Sequence, residues 1–151
     1  MRTLRNLSEL AALVGQEVAV SEWLTVTQQQ IDLFAQATGD HQWIHVDVEK
    51  ARAGPFGAPI AHGFLTLSLL PKFFESALWI EDSRMGVNYG LNRVRFTAPV
   101  PVDSRLRGRI KLLALEPVDN NGMQMTWQVT VEREGSDKPV CIAESLTRRY
   151  V

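Results

Sequence analysis

Residues 36 to 47, QATGDHQWIHVD, put a carboxylate and two imidazoles directly after a glycine. The chain has three histidines, His41, His45 and His62, and all lie between residues 41 and 62 beside Asp40, Asp47 and Glu49. Histidine supplies a general base near neutral pH because its ordinary pKa is about 6.5, and a carboxyl group can be tuned by burial to share proton transfer. Asp40 and His45 follow Gly39, a natural helix stop, so a loop there can turn both toward one substrate atom. The plainer reading of the same residues is a solvated turn Asp and a structural His, and spacing alone does not choose between them.

Two other arrangements carry chemistry. HQWIH has the two-His spacing of a helical zinc site but lacks the Glu of H-E-x-x-H, and Gly39 argues against a helix there, so a metal is disfavoured. In PIAHGFLTL, Gly63 stands where a loop enters an apolar helix. The first N–H groups of a helix have no internal acceptor and can receive a developing oxyanion, and glycine lets a ligand approach the backbone closely. Taken alone, an ordinary helix entry with glycine as a weak N-cap is the favoured reading of Gly63, and His62 reads as a packing or capping residue.

The elements that must position these groups are legible in the pattern. Thr27 with Gln30 forms a capping box that opens a helix, Gly39 ends it, and Ile31, Phe34, Ala35 and Thr38 recur on its inner face. A short helix through Ala53 and a Gly/Pro-rich loop over 54–63 follow. FLTLSLLPKFFESALW, residues 64–79, is apolar on nearly every side and predicts a central helix buried on most of its circumference, interrupted at Pro71. Beyond residue 84 the period becomes two. Met123, Met125, Trp127, Val129 and Val131 alternate with polar residues, and Arg105, Arg107, Arg109 and Lys111 alternate with Leu106, Ile110 and Leu112. MGVNYGLNRVRF and PVCIAESLTRRY give two more strands, and QEVAVSEWLTV a fifth. The apolar phase slips between Leu91 and Val94, which predicts a bulge near Asn92. These elements describe an α+β domain, an antiparallel sheet wrapped about one helix.

Composition narrows the function classes. With 45% hydrophobic residues and a formal net charge of -1, the chain lacks the basic footprint of a nucleic-acid or anionic-membrane binder. Arg93 and Arg95 are candidate phosphate contacts, although outward strand charges need no ligand to explain them. The lone Cys141 permits no intrachain disulfide and fits a reducing cytoplasm. MRTLRNLSELAALVGQ is too broken by polar residues for a secretory signal and predicts a short surface helix. No apolar stretch reaches the ~20 residues of a spanning helix, so a soluble protein is expected.

FAQATGDHQWIHVD followed by PIAHGFLTLSLL resembles the MaoC-like dehydratases, or (R)-specific enoyl-CoA hydratases, whose signature is an aromatic residue, a spacer and G-D-x-N-P-[apolar]-H. Gly39, Asp40, Ile44 and His45 match that signature, and LNRVRFTAPV is similar to a later strand of the family. The resemblance implies one hotdog-fold domain over residues 1–151 that hydrates trans-2-enoyl thioesters reversibly. It implies Asp40 and His45 as the catalytic pair, Gly63 as oxyanion donor, no metal or redox cofactor, an acyl-CoA or acyl-carrier thioester as partner, and a homodimer. Gln42-Trp43 replaces the family's Asn-Pro, which frees the backbone and introduces a bulky ring, and nodulation-type members of the family share the likeness. A hotdog thioesterase and a non-catalytic acyl-binding module are the rival expectations.

Overall fold

Thr27 opens the first long helix as its pattern predicts. In the computed structural model, which describes residues 1–151, its hydroxyl accepts from the Gln30 N–H at 3.2 Å while the Gln30 side chain accepts from the Thr27 N–H at 3.0 Å. Three strands precede this helix: β1 (Arg2–Leu4), β2 (Glu17–Val20) and β3 (Leu24–Thr25). The helix, α1 (Gln28–Thr38), buries Ile31 and Ala35 and stops at Gly39, which adopts φ 82° and returns its N–H to Ala35. Thr38, expected on the inner face, is exposed and instead folds its hydroxyl back onto the Phe34 carbonyl.

Two short helices follow, α2 (Trp43–Val46) and α3 (Val48–Arg52), then the Gly/Pro loop. The central helix is in two pieces, α4 (Gly63–Ser68) and α5 (Leu70–Ala77), with Pro71 in the first turn of α5, where a missing N–H costs nothing. It is less enclosed than its composition suggests. Leu65, Leu70, Phe73 and Ala77 are buried, whereas Phe64, Ser68, Lys72 and Glu75 face outward. It also ends early, because Leu78–Ile80 becomes β4 and pairs in parallel with β1.

The remaining strands are β5 (Met85–Arg95), β6 (Arg105–Val118), β7 (Gly122–Arg133) and β8 (Cys141–Tyr150). The order β2-β6-β7-β8-β5, with β3 also on β6, makes a six-stranded antiparallel sheet, so the expected fifth strand is split between β2 and β3. The register of β5 on β8 shifts between Leu91 and Arg93, at the bulge expected near Asn92, and again between Asn88 and Gly90. The helix lies on the inner face of this sheet, where Phe74 meets Trp127 edge-on at 5.2 Å. Gly108 of β6 permits the close approach, since a Cβ there would stand 3.0 Å from that of Phe73. No helix is long and apolar enough to cross a membrane.

The short surface helix expected near the N-terminus is present, with Ser8, Glu9, Ala11 and Ala12 exposed. Leu7–Leu13 forms a 3-10 helix that buries Leu7 and Leu10 in the main core, with Leu13 packed against it. Three residues per turn stack side chains spaced by three on one side, which suits these leucines. Leu10 has no exposed surface, so Leu10→Ala is expected to cost about 2–5 kcal/mol in denaturant unfolding, against under about 0.5 kcal/mol for a solvated leucine.

Candidate active site

Gly39 turns the chain out of α1 and leaves Asp40 exposed, its Oδ1 accepting the Gln42 N–H at 3.3 Å. The chain then makes the single helical turn α2, a turn that the reading of Gly39 as a helix stop did not anticipate, and this turn carries His45 inward to 6% exposure. The first residue of α1 closes the loop that its last residue begins, for the Gln28 side-chain amide donates to the His45 carbonyl at 2.9 Å. His41, by contrast, stays exposed. Asp47 caps α3 by accepting the Lys50 N–H at 3.1 Å, and Glu49 sits exposed in the first turn of that helix, so these two acidic residues serve helix ends.

The opposite wall is the segment leading into α4. Ile60 donates its N–H to the Ile44 carbonyl at 3.0 Å, and its own carbonyl receives His45 Nδ1 at 2.6 Å. A carbonyl can only accept, so Nδ1 carries the proton. Burial pulls the imidazole pKa below its ordinary 6.5; the Ile60 bond and the Asp40 charge oppose this, His62 adds to it, and burial prevails. His45 is therefore a neutral ring at pH 7 whose Nε2 keeps its lone pair.

A ring nitrogen of His45, one of His62 and a carboxylate oxygen of Asp40 lie within 4.8 Å of one another. His62, expected as a packing or capping residue, joins this cluster. It occupies the N-cap of α4 but makes no capping bond; its Nε2 donates to the Asp40 carbonyl at 3.0 Å and its ring stacks on His45 at 3.9 Å. The visible signal was its place next to Gly63. The trio could suggest a metal, yet the two rings are only 25° from parallel and each has one nitrogen engaged by a backbone carbonyl. Lone pairs lie in the ring plane, so near-parallel stacked rings do not converge well on one ion, and the geometry suits proton transfer better than ligation.

Gly63 begins α4 beside this cluster, and its N–H has no acceptor within the helix. A Cβ at Gly63 would stand 2.8 Å from the Phe96 ring, so the packing there favours glycine. His45, Gly63, Thr66, Phe56 and Phe96 line one cleft of about 380 Å³. Arg93 and Arg95 line an adjoining groove on the sheet with Gln128 and Glu144, and Thr97 borders both.

Comparison with known proteins places the chain in a family. Residues 9–134 match the family described as MaoC like domain. The chain is 53% identical over 148 residues to 3-hydroxyacyl-thioester dehydratase Z of Mycobacterium tuberculosis (strain ATCC 25618 / H37Rv), covering 98% of each chain. It is 47% identical over 144 residues to Nodulation protein N of Rhizobium leguminosarum bv. viciae, covering 94% of this chain and 89% of that protein. The unliganded structure of R-hydratase PhaJ1 from Pseudomonas aeruginosa superposes with a TM-score of 0.69 at 25% identity, over 91% of this chain and 81% of that one. With the match covering most of its length and the site motif and helix-wrapping sheet in place, this chain belongs to the MaoC-like dehydratase family and has its hotdog fold.

Proposed function

We propose that the protein catalyses the reversible hydration of trans-2-enoyl thioesters to (R)-3-hydroxyacyl thioesters, with Asp40 and His45 as the proton-transfer pair and the Gly63 N–H as oxyanion donor. The observation that carries this reading is His45 held by Ile60 through Nδ1, with a ring nitrogen within 4.8 Å of the Asp40 carboxylate. One water can bridge such a span with two hydrogen bonds of about 2.8 Å. As the water oxygen bonds to C3, His45 Nε2 takes a water proton and the C2–C3 π electrons move toward the thioester oxygen. His45 passes that proton through solvent to the Asp40 carboxylate, and Asp40, then in its acid form, delivers it to C2 as the charge returns, so both groups end as they began. The enolate-like oxygen faces Gly63, where an oxyanion donor is worth about 3–4 kcal/mol. No step calls on a metal or a redox cofactor.

The substrate is a CoA or acyl-carrier thioester, and residues 1–151 act as one such domain. The subunits pair as a homodimer, a reading supported by β5. This edge strand is exposed along almost its whole length and presents Met85, Val87, Tyr89 and Leu91, a row that natural proteins cover or interrupt. The cytoplasm suits a chain whose one thiol, Cys141, is buried, free and pushed up to about 11 by desolvation.

Residues that act on one water fail together. Asp40→Asn and His45→Asn are each expected to lower kcat on crotonyl-CoA by about 10³-fold or more while staying folded, and the double variant to fall little further. His41→Ala is expected to stay within a few-fold of the wild type. Near-normal turnover in either single variant would sink the assignment, and thiol release in place of loss of enoyl absorbance would favour thioester hydrolysis.

The His45 shift sets a pH window. A ring kept neutral by the fold remains a base below pH 6.5, so the acid limb of kcat/KM is expected to have its midpoint below that value. The unfolded chain, in contrast, binds a proton at its ordinary pKa. The stability contribution of His45 is thus expected to decline as pH drops through 6.5, and to level off below the folded-state pKa. A limb midpoint above 6.5 in His41→Ala, which leaves His45 as the exchanging base, would contradict the assignment.

A single water held by two groups from one loop can reach only one face of the planar enoyl unit. Hydration of crotonyl-CoA in D₂O is expected to give syn addition, read by NMR of the product, and the product is expected to resist an (S)-specific 3-hydroxyacyl dehydrogenase. Anti incorporation would overturn the one-water mechanism.

A further inference from the structure

His62 has 2% exposure and takes no proton in the reaction proposed above. Its surroundings are nevertheless those of the reacting pair. Its Nε2–H donates to the main-chain carbonyl of Asp40, one face of its ring lies on His45, and Phe34 packs against it with centroids 4.9 Å apart. It also immediately precedes Gly63. A buried histidine kept for packing alone would be expected to satisfy both nitrogens, yet its Nδ1 is buried without a partner. Asp40 has few other anchors: its N–H reaches Thr38 Oγ1 only at 3.5 Å, and its carboxylate accepts from Gln42 at 3.3 Å. The bond from His62, at 3.0 Å, is the shortest polar contact Asp40 makes.

We propose that His62 is a positioning residue for the hydration: it clamps the Asp40 main chain, backs the His45 ring, and so holds carboxylate and imidazole toward the same water beside Gly63. This rests on the hydratase reading above. The two halves of the role separate by substitution. His62→Phe keeps a ring against His45 but loses the donor to Asp40, whereas His62→Gln keeps an N–H donor at a reach similar to Nε2 but loses the ring.

In the full-length protein, His62→Phe is expected to lower kcat on crotonyl-CoA by about 10–100-fold with KM changed less than about threefold, as misplacement of reacting groups by a fraction of a bond length does. His62→Gln is expected to recover part of that loss, and to move the acid limb of kcat/KM upward because the imidazole facing His45 is gone. A folded His62→Phe with kcat within about twofold of the wild type and an unmoved pH profile would overturn the proposal. A measurement that needs no variant to fold is the ¹⁵N–¹H long-range spectrum of histidine-labelled wild-type protein. It is expected to show the Nδ1–H tautomer for His45 and the Nε2–H tautomer for His62. An Nδ1–H tautomer at His62 would overturn the clamp, because its Nε2 could not then donate to Asp40. Failure of the wild type to hydrate any enoyl thioester would refute the hydratase reading instead, and it leaves the tautomer test standing.

Discussion

The hydrogen bond from His45 Nδ1 to the Ile60 carbonyl is the contact on which the site depends. It fixes which nitrogen carries the proton, aims the other, and satisfies a polar group that α2 has carried out of water. Its acceptor is rigid for reasons outside the site. Ile60 is tied to Ile44 by its N–H and bridged to Pro101, while Ala61 donates to Val100 and Val102 to Pro59, so the loop is stitched to the segment that leads into β6. The tautomer of a catalytic candidate is thus set by backbone geometry inherited from the sheet. Were that carbonyl displaced, the ring could rotate or change tautomer with no change in any side chain of the cleft.

The division of the central helix serves the same end. Pro71 is harmless in the first turn of α5, and the break before it lets α4 be a short unit whose start is placed by the loop while α5 is placed by the core through Phe73 and Ala77. Gly108 and Gly63 mark the two close approaches this requires. The first brings Phe73 onto β6 and the second brings the Phe96 ring onto the start of α4. A side chain at either position would push the helix away from the sheet and carry the Gly63 N–H with it.

What could be read from the chain alone was whatever is encoded locally. The capping box at Thr27, the left-handed stop at Gly39, the alternation along β6 and β7 and the slip before Arg93 are relations among residues a few positions apart. The Asp40 and His45 pair was legible because residue type, spacing and resemblance to a known motif coincided there. His62 was not, because its partner is the backbone carbonyl of Asp40, and a carbonyl has no residue-type signature. The helix was read through to residue 79 because Leu78–Ile80 owes its extended form to β1, a pairing partner at the far end of the chain. Leu7, Leu10 and Leu13 share a spacing that an α-helix and a 3-10 helix both satisfy, so only packing could decide which of the two forms.

At Gln42-Trp43, where the family motif has Asn-Pro, the turn is held by side-chain packing. Trp43 is the first residue of α2, a position that favours proline because its fixed φ suits the helix and its missing N–H is not needed. Trp43 takes up the same place without a ring to enforce it, and secures itself by packing. Its indole lies under the Lys50 ammonium at 4.7 Å, and a Cβ on Gly54 would stand 2.9 Å from its edge. The bulky ring therefore spends its volume against α3 and the loop after it, away from the cleft lined by His45, Gly63 and Phe96. The ring that the sequence led us to expect here thus acts as a side-chain restraint on the loop. It shifts the demand for glycine to position 54, so that exchanging Trp43 for proline would remove the packing that makes a glycine there necessary.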